Sequence, residues 1–138
     1  MFVLDTNVLS EIMRAVPDPE VADWLRACPV AAMFTTAVSE TEILYGVRCL
    51  PDGQRRGRLV AAARELFEIT FAGRVLAFDA TAAGLCADIR IARERSGKPI
   101  GSEDGMIAAI AQAHGATLVT RDRDFAGCGV PVVDPWEA

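Results

Sequence analysis

The sequence has few of the residues on which several common chemistries depend. Its 138 residues include one lysine, one histidine and one tyrosine, and no segment is repeated. These features exclude collagen-like, low-complexity and solenoid proteins. A single imidazole and the lack of a Cys-x-x-Cys pair argue against a zinc site. The motifs of the α/β-hydrolase elbow, the P-loop and the dinucleotide-binding turn are absent too.

Long apolar runs are also missing. The longest uncharged stretch, residues 105–120, contains Gln112 and His114 and is too short and too polar to span a bilayer. An acid at position 5 and no basic residue before Arg14 are unlike a secretory signal, so the sequence predicts a cytoplasmic protein. The four cysteines stand among apolar or small residues, which is typical of reduced, mostly packed thiols: Cys28, Cys49, Cys86 and Cys128.

The residues that are present predict one globular domain over residues 1–138. Apolar residues make up 51% of the chain, and the mean hydropathy is +0.25. Apolar runs predict strands at residues 2–4, 32–35, 74–78, 117–120 and 131–133, and helical spacing predicts helices at residues 8–16, 20–27, 37–50, 54–67, 80–96 and 103–113. The last strand is expected at an edge, because Pro131 cannot donate to a ladder. Strands that are apolar on both faces and separated by helices predict a three-layer α/β/α fold with a parallel sheet of about five short strands.

The basic residues are clustered although the net charge is −5. Residues 52–64 carry four arginines against one aspartate, and residues 88–98 carry three arginines and one lysine against two acids. Guanidinium groups suit bidentate contact with phosphates, so both stretches are candidate phosphate-binding surfaces; the alternative is a solvated helix face. The candidate phosphate-binding arginines are Arg55, Arg56, Arg58, Arg90, Arg93 and Arg95.

Acidic residues follow the predicted strands. Ligands of an open parallel sheet bind beyond the carboxyl ends of its strands. Asp5 follows the first strand, Asp122 and Asp124 follow the fourth, and Asp104 lies in the first turn of the last helix. Each also has a purely structural interpretation, because aspartates cap helices and form turns.

The helix after the second strand offers two glutamates. Apolar side chains surround almost the whole circumference of residues 37–50, which predicts a largely buried helix. Glu40 and Glu42 both interrupt these apolar surroundings, where an unpaired charge is costly. Helical periodicity does not decide between them.

Convergence of four such acids would require a counter-charge. Two carboxylates about 4 Å apart repel by about 4 kcal/mol at an effective dielectric constant near 20. Four carboxylates form six pairs, so their repulsion would be comparable with the whole stability of a small domain, about 5–15 kcal/mol. Oxygen ligands favour Mg²⁺ or Mn²⁺, and such a metal beside arginines predicts phosphodiester hydrolysis. His114 stands at a helix end, where the helix dipole accounts for it without a catalytic role.

Four motifs resemble those of the PIN-domain ribonucleases, in the order and spacing of that family. They are Asp-Thr-Asn-Val at residues 5–8, Glu-Ile-Leu-Tyr-Gly at residues 42–46, Asp-Gly-Met-Ile-Ala-Ala at residues 104–109 and Thr-Arg-Asp-Arg-Asp-Phe at residues 120–125. Each motif alone is weak, but together they span essentially the whole chain. The likeness extends to the VapC toxins of bacterial toxin–antitoxin pairs, including the FitB-like branch, and implies a PIN-like α/β/α domain.

The resemblance implies roles for particular residues. It implies catalytic and metal-binding roles for Asp5, Glu42, Asp104 and Asp122, and places Thr6, Asn7, Thr120 and Asp124 at the lining of the same pocket. Gly101 stands where the family often has a capping serine or threonine, and Glu103 would add charge at the rim. Relatives often have asparagine as the fourth acid, so Asp124 competes with Asp122 for that position.

The resemblance also selects Glu42 rather than Glu40 and implies a reaction. It implies Mg²⁺- or Mn²⁺-dependent hydrolysis of single-stranded or structured RNA to a 3′-hydroxyl and a 5′-phosphate. The six arginines given above would then contact RNA phosphates. The implied partners are a small antitoxin that occludes the site and a second copy of the chain in a homodimer, with no membrane.

Two other functions are compatible with the same predicted fold. A receiver-like signalling domain would accept phosphate on an aspartate, but it needs a lysine after a late strand, and Lys98 precedes a helix instead. A catalytically inactive binding partner with the PIN fold would leave the repulsion among its acids without compensation. The ribonuclease is therefore the favoured hypothesis.

Overall fold

A computed structural model describes all 138 residues and contains a five-stranded sheet. The strands are β1 Phe2–Leu4, β2 Met33–Thr36, β3 Val75–Leu76, β4 Thr117–Val119 and β5 Val132–Val133. All pair in parallel, in the order β3-β2-β1-β4-β5. The predicted parallel sheet is confirmed, and β5 lies at an edge as Pro131 requires.

Six helices cover the two faces of this sheet. They are α1 Thr6–Ile12, α2 Pro19–Ala27, α3 Ala37–Arg48, α4 Gln54–Glu65, α5 Ala80–Arg95 and α6 Ser102–Ala113. Successive residues of β1 point to opposite faces: Val3 packs with α5 and α6, whereas Leu4 packs with α1, α3 and α4. The three-layer α/β/α prediction is therefore confirmed. None of the helices is long and apolar enough to cross a membrane.

Helix α1 ends earlier than its apolar spacing predicts. It stops at Ile12 instead of residue 16, because the chain turns there around a buried carboxylate. Glu11 is 7% exposed, and its side chain accepts a hydrogen bond from the Asp18 N–H at 2.7 Å and pairs with Arg14 at 3.0 Å. This tertiary contact redirects the chain before the predicted end of the helix.

The prediction that α3 is largely buried is wrong. Only one face of the helix is covered, through Val38, Ile43 and Val47. Tyr45 is 70% exposed, because no element packs over that side of the helix.

All four cysteines are free, and Cys49, at the C-terminal end of α3, is exposed.

The topology creates a crevice beside β1. The chain order reverses at β1, which has β2 on one side and β4 on the other. Crossover connections therefore leave in opposite directions from the carboxyl ends of β1 and β4, and the residues that follow these strands border the opening.

Candidate metal centre and active site

The carboxylate of Asp5 is held by β1, α1 and β4 together. Leu4 is in register with Val119, so the residues that follow these strands are neighbours. Asp5 Oδ2 accepts a hydrogen bond from the Thr120 hydroxyl at 2.8 Å, and Oδ1 accepts one from the Thr6 N–H at 2.7 Å. Asp5 is 4% exposed. Its carboxylate therefore both caps α1 and has a fixed orientation in the crevice.

The Thr120 hydroxyl connects three parts of the site. It donates to Asp5, and its oxygen accepts hydrogen bonds from the Asn7 side-chain amide at 2.9 Å and the Asp122 N–H at 3.0 Å. Thr120 is buried, so these bonds are shielded from competing water. The hydroxyl thereby fixes the turn after β4 relative to β1 and α1.

Glu42 reaches the same crevice from α3. Thr36 ends β2 and caps α3 by accepting a hydrogen bond from the Ser39 N–H at 3.0 Å. Glu42 lies one turn further on, where its Oε1 accepts a hydrogen bond from the Thr6 hydroxyl at 3.1 Å. The buried Ser39 hydroxyl lies 3.0 Å from that of Thr6. Sequence analysis missed Ser39, although its three-residue spacing from Glu42 is a detectable signal.

Three aspartates complete the arrangement. Asp104 lies in the first turn of α6, after Gly101, which caps this helix without a side-chain hydrogen bond. Asp122 begins a short 3₁₀ turn and accepts a hydrogen bond from the Asp124 N–H at 2.9 Å. Carboxylate oxygens of Asp104, Asp122 and Asp124 lie within 4.8 Å of one another. Both candidates for the fourth acid therefore face Asp104. The acidic cluster is defined as Asp5, Glu42, Asp104, Asp122 and Asp124.

The pKa values reflect the proximity of these carboxylates. Burial, followed by the negative charges of Asp5 and Asp122, raises the pKa of Asp104 to about 6. Burial raises the pKa of Glu42; the Thr6 hydrogen bond lowers it, and the charge of Asp5 raises it again. Burial also raises the pKa of Asp5, and its two hydrogen bonds act in the opposite direction. Each acid thus disfavours ionisation of its neighbours.

No carboxylate of the acidic cluster forms an ion pair with a basic side chain. The four ion pairs of the chain use other acids. Glu103 is exposed, and its charge also raises the pKa values of Glu42 and Asp104. The side-chain oxygen of Asn7 is buried without a hydrogen-bond partner. A set of hard oxygen donors that form no ion pair fits a divalent cation.

The structure separates the two glutamates that helical periodicity left equivalent. Glu42 points into the crevice beside Thr6, whereas Glu40 lines a groove between α3 and α4 together with Arg64 and Glu68. His114 is exposed and caps the C-terminal end of α6, whereas Asp104 lies in the first turn of the same helix.

The three candidate arginines of α4 differ in their surroundings. Arg55 and Arg58 border a cavity that is also lined by Glu42. Arg56 instead pairs with Asp52 at 3.4 Å. Arg55 and Arg58 therefore share a cavity with Glu42, one acid of the acidic cluster.

The candidate arginines of α5 form a second region. Arg90 and Arg95 are exposed. The Arg93 guanidinium donates to the backbone carbonyls of Lys98 at 2.7 Å and Asp124 at 2.6 Å. Arg93 therefore ties the end of α5 to the turn that carries Asp124.

Thr120→Val is expected to weaken divalent-metal binding about 10–100-fold, because the outer hydrogen bonds that orient Asp5 and Asp122 are lost. The buried groups left without partners should also lower the free energy of unfolding by about 2 kcal/mol. Calorimetric titration with Mn²⁺ and urea unfolding measure the two effects. Thr35→Val is the matched control, since the buried Thr35 hydroxyl donates only to the Leu4 carbonyl at 2.8 Å. Equal Mn²⁺ affinity in both variants would contradict the assignment.

Comparison with known proteins places this geometry in context. The PIN-domain family matches residues 2–129, a range that contains the whole acidic cluster. VapC ribonuclease Y4jK from Sinorhizobium fredii is 39% identical over 138 residues, covering 99% of each chain. Toxin FitB from Neisseria gonorrhoeae is 36% identical over 137 residues, again covering 99% of each chain. The solved structure of FitAB bound to IR36 DNA fragment matches with a TM-score of 0.91 at 36% identity, covering 99% of this chain and 96% of that chain.

Proposed function

Since the chain belongs to the PIN-domain family, we propose that it is a Mg²⁺- or Mn²⁺-dependent endoribonuclease and the toxin of a toxin–antitoxin pair. The observation that carries this proposal is the grouping of Asp104, Asp122 and Asp124, with Asp5 and Glu42 close enough for their charges to raise the pKa values of neighbouring acids, and with no ion pair to any of them. The family and the acidic cluster support a divalent metal; Mg²⁺ and Mn²⁺ are the ions that oxygen donors favour.

The residues of the crevice have separate tasks in this reaction. A bound divalent cation lowers the pKa of a water molecule and neutralises charge on the scissile phosphate. Asp5, Glu42 and Asp104 would hold the cation and orient the water, and Asp122, with Asp124 as its alternative, would complete the site. The water oxygen attaches to phosphorus while the bond to the 3′ oxygen breaks, and the leaving oxygen takes a proton. The products are a 3′-hydroxyl and a 5′-phosphate.

The proposal includes the setting of the enzyme. The similar solved structures of FitAB and of a member of the VapBC family of toxin–antitoxin systems support an antitoxin as the partner of this chain, and we propose that this antitoxin is small and occludes the site. We further propose that residues 1–138 act as one PIN domain, in a homodimer, in the cytoplasm, where RNA is available. The six candidate arginines stay proposed RNA contacts.

The two glutamates of α3 provide a direct test. Glu42→Gln is expected to reduce RNA cleavage at least about 100-fold, since one ligand is worth several kcal/mol of transition-state stabilisation. Glu40→Gln, on the same helix but outside the crevice, is expected to keep wild-type activity. Cleavage of total RNA is followed with Mn²⁺ or Mg²⁺ and with a chelator. Chelator-resistant cleavage, or equal activity of both variants, would overturn the proposed mechanism, and Asp5→Asn provides a second inactive variant.

A further inference from the structure

A cavity of about 430 Å³ opens next to Glu42 and Thr6. It lies among α1, α3 and α4, and its volume is within the usual range for a small-ligand site, about 300–1,000 Å³. Its apolar wall comes from all three helices and their ends: Met13, Ile43, Val47, Leu50 and Leu59. One end of the cavity therefore reaches the acidic cluster, and the rest offers apolar surface.

Three arginines surround the apolar wall. Arg14 comes from the turn after α1, and Arg55 and Arg58 come from α4. Arg14 pairs with Glu11, but Arg55 and Arg58 form no ion pair. The Arg58 guanidinium reaches across to the Met13 carbonyl at 3.5 Å, which places its charge at the cavity. The cavity thus combines an apolar surface with two arginines that form no ion pair.

We propose that this cavity binds one unstacked nucleotide of the RNA strand next to the scissile phosphate, with the base against the apolar wall and its phosphate on Arg55 and Arg58. This inference rests on the proposed ribonuclease function and adds the substrate feature that the site selects. A planar base binds to an apolar surface, and the phosphate of the same nucleotide binds to guanidinium groups. The two surfaces must therefore lie close enough for one nucleotide to contact both. A base held in a duplex stack cannot enter, so the substrate must be unpaired at this position.

Gly46 makes the cavity testable without disturbing the fold. It lies on α3 at the cavity surface, and a Cβ added there meets no atom within 4 Å. A methyl group therefore fits at this position without a clash, and because Gly46 lines the cavity, a larger side chain there is expected to occupy cavity space. Gly84 on α5 is the matched control, because its Cβ would also meet nothing within 4 Å and it does not line the cavity.

The first experiment measures binding of a short fluorescein-labelled single-stranded RNA by anisotropy, in a chelator that prevents cleavage. Gly46→Ala should bind within about twofold of wild type, whereas Gly46→Phe should bind about tenfold more weakly or worse, as expected when base contacts worth about 1–3 kcal/mol are lost. Gly84→Phe should match wild type. When the RNA is annealed to its complement, Gly46→Phe and wild type should bind alike, because no unpaired base is available.

The second experiment tests the phosphate contact through its dependence on salt. Arg55→Gln and Arg58→Gln should each reduce the slope of log affinity against log salt by about 0.7, the value for one single-strand phosphate contact. Arg64→Gln on the same helix is the control, since Arg64 lines the other groove. An unchanged slope in both cavity variants would overturn the assignment of the phosphate to these arginines.

The possible outcomes distinguish failure of the nucleotide-binding site from failure of the ribonuclease function on which it rests. If Gly46→Phe binds and cleaves RNA with the wild-type KM but loses affinity for the antitoxin, the cavity belongs to the protein partner and the inference is wrong, while the ribonuclease proposal stands. If wild type binds RNA through the cavity but does not cleave it with Mn²⁺ or Mg²⁺, the ribonuclease proposal fails and the binding site remains. Weaker binding together with a raised KM in Gly46→Phe supports both.

Discussion

Replacing Asp104 by asparagine is expected to reduce RNA cleavage at least about 100-fold and, at the same time, to stabilise the metal-free protein. The lost carboxylate is one of the acids that would hold the cation, which accounts for the loss of activity. Its removal also relieves repulsion with Asp5 and Asp122, which together with burial raises the pKa of Asp104 to about 6. Because the side chain is half-buried, solvent screening limits the gain to about 1 kcal/mol, or about 3–5 °C in Tm.

Opposite changes in activity and stability distinguish this prediction from simple damage to the fold. Thermal unfolding in a chelator and RNA cleavage with Mn²⁺ provide the two measurements. Asp88→Asn is the control, since Asp88 is exposed on α5 outside the acidic cluster, and neither quantity should change. A lower Tm for Asp104→Asn in the chelator would show that the carboxylate is compensated within the protein, contrary to the geometry described above.

A divalent metal is expected to raise the Tm strongly at neutral pH and weakly in acid. A ligand at about 100 times its Kd stabilises by about 2.7 kcal/mol, which corresponds to about 8–12 °C for a chain of this size. Protons compete for the same carboxylates, so metal binding should weaken as the pH falls through about 6, the pKa of Asp104. Differential scanning fluorimetry with Mn²⁺ or Mg²⁺ from pH 5 to 7.5 measures the effect.

The metal-free protein should show the opposite pH dependence between pH 3.8 and about 6. Folding raises the pKa of Asp104 from 3.8 to about 6, so the native state binds more protons than the unfolded state between these values. Stability therefore falls as the pH rises through this window, and Glu42 and Asp5 act in the same direction.

For the metal-bound protein, a metal-induced Tm shift that is as large at pH 5 as at pH 7.5 would contradict a carboxylate site.

The sequence carried enough information for the architecture and for most of the acidic cluster. Alternating strand and helix patterns specify parallel crossovers, and the carboxyl ends of parallel strands must meet at one edge. Asp5 and Asp122 could therefore be expected near each other from their positions after β1 and β4. The order of strands and helices alone does not predict the position of Asp104, because that position depends on how α6 packs beside the sheet.

The features that escaped prediction depend on contacts between distant segments. Helical periodicity left Glu40 and Glu42 equivalent, and the choice of Glu42 came from the family resemblance; in the structure the position of Thr6 relative to α3 distinguishes them. The early end of α1 depends on the Glu11 carboxylate accepting the Asp18 N–H, which no local pattern reveals. Exposure of Tyr45 depends on the absence of a covering element over α3. These are properties of tertiary packing, which overrides local pattern.

The bonds of the Thr120 hydroxyl join residues far apart in the sequence. They reach Asn7 and Asp5, separated from Thr120 by 113 and 115 positions. A cation shared by Asp5 and Asp122 would bridge the same interval and close a loop of more than a hundred residues. Binding of the ion to the native state should then oppose global unfolding more than local fraying, so amides throughout β1 and β4 should exchange hydrogen more slowly together when the ion is present.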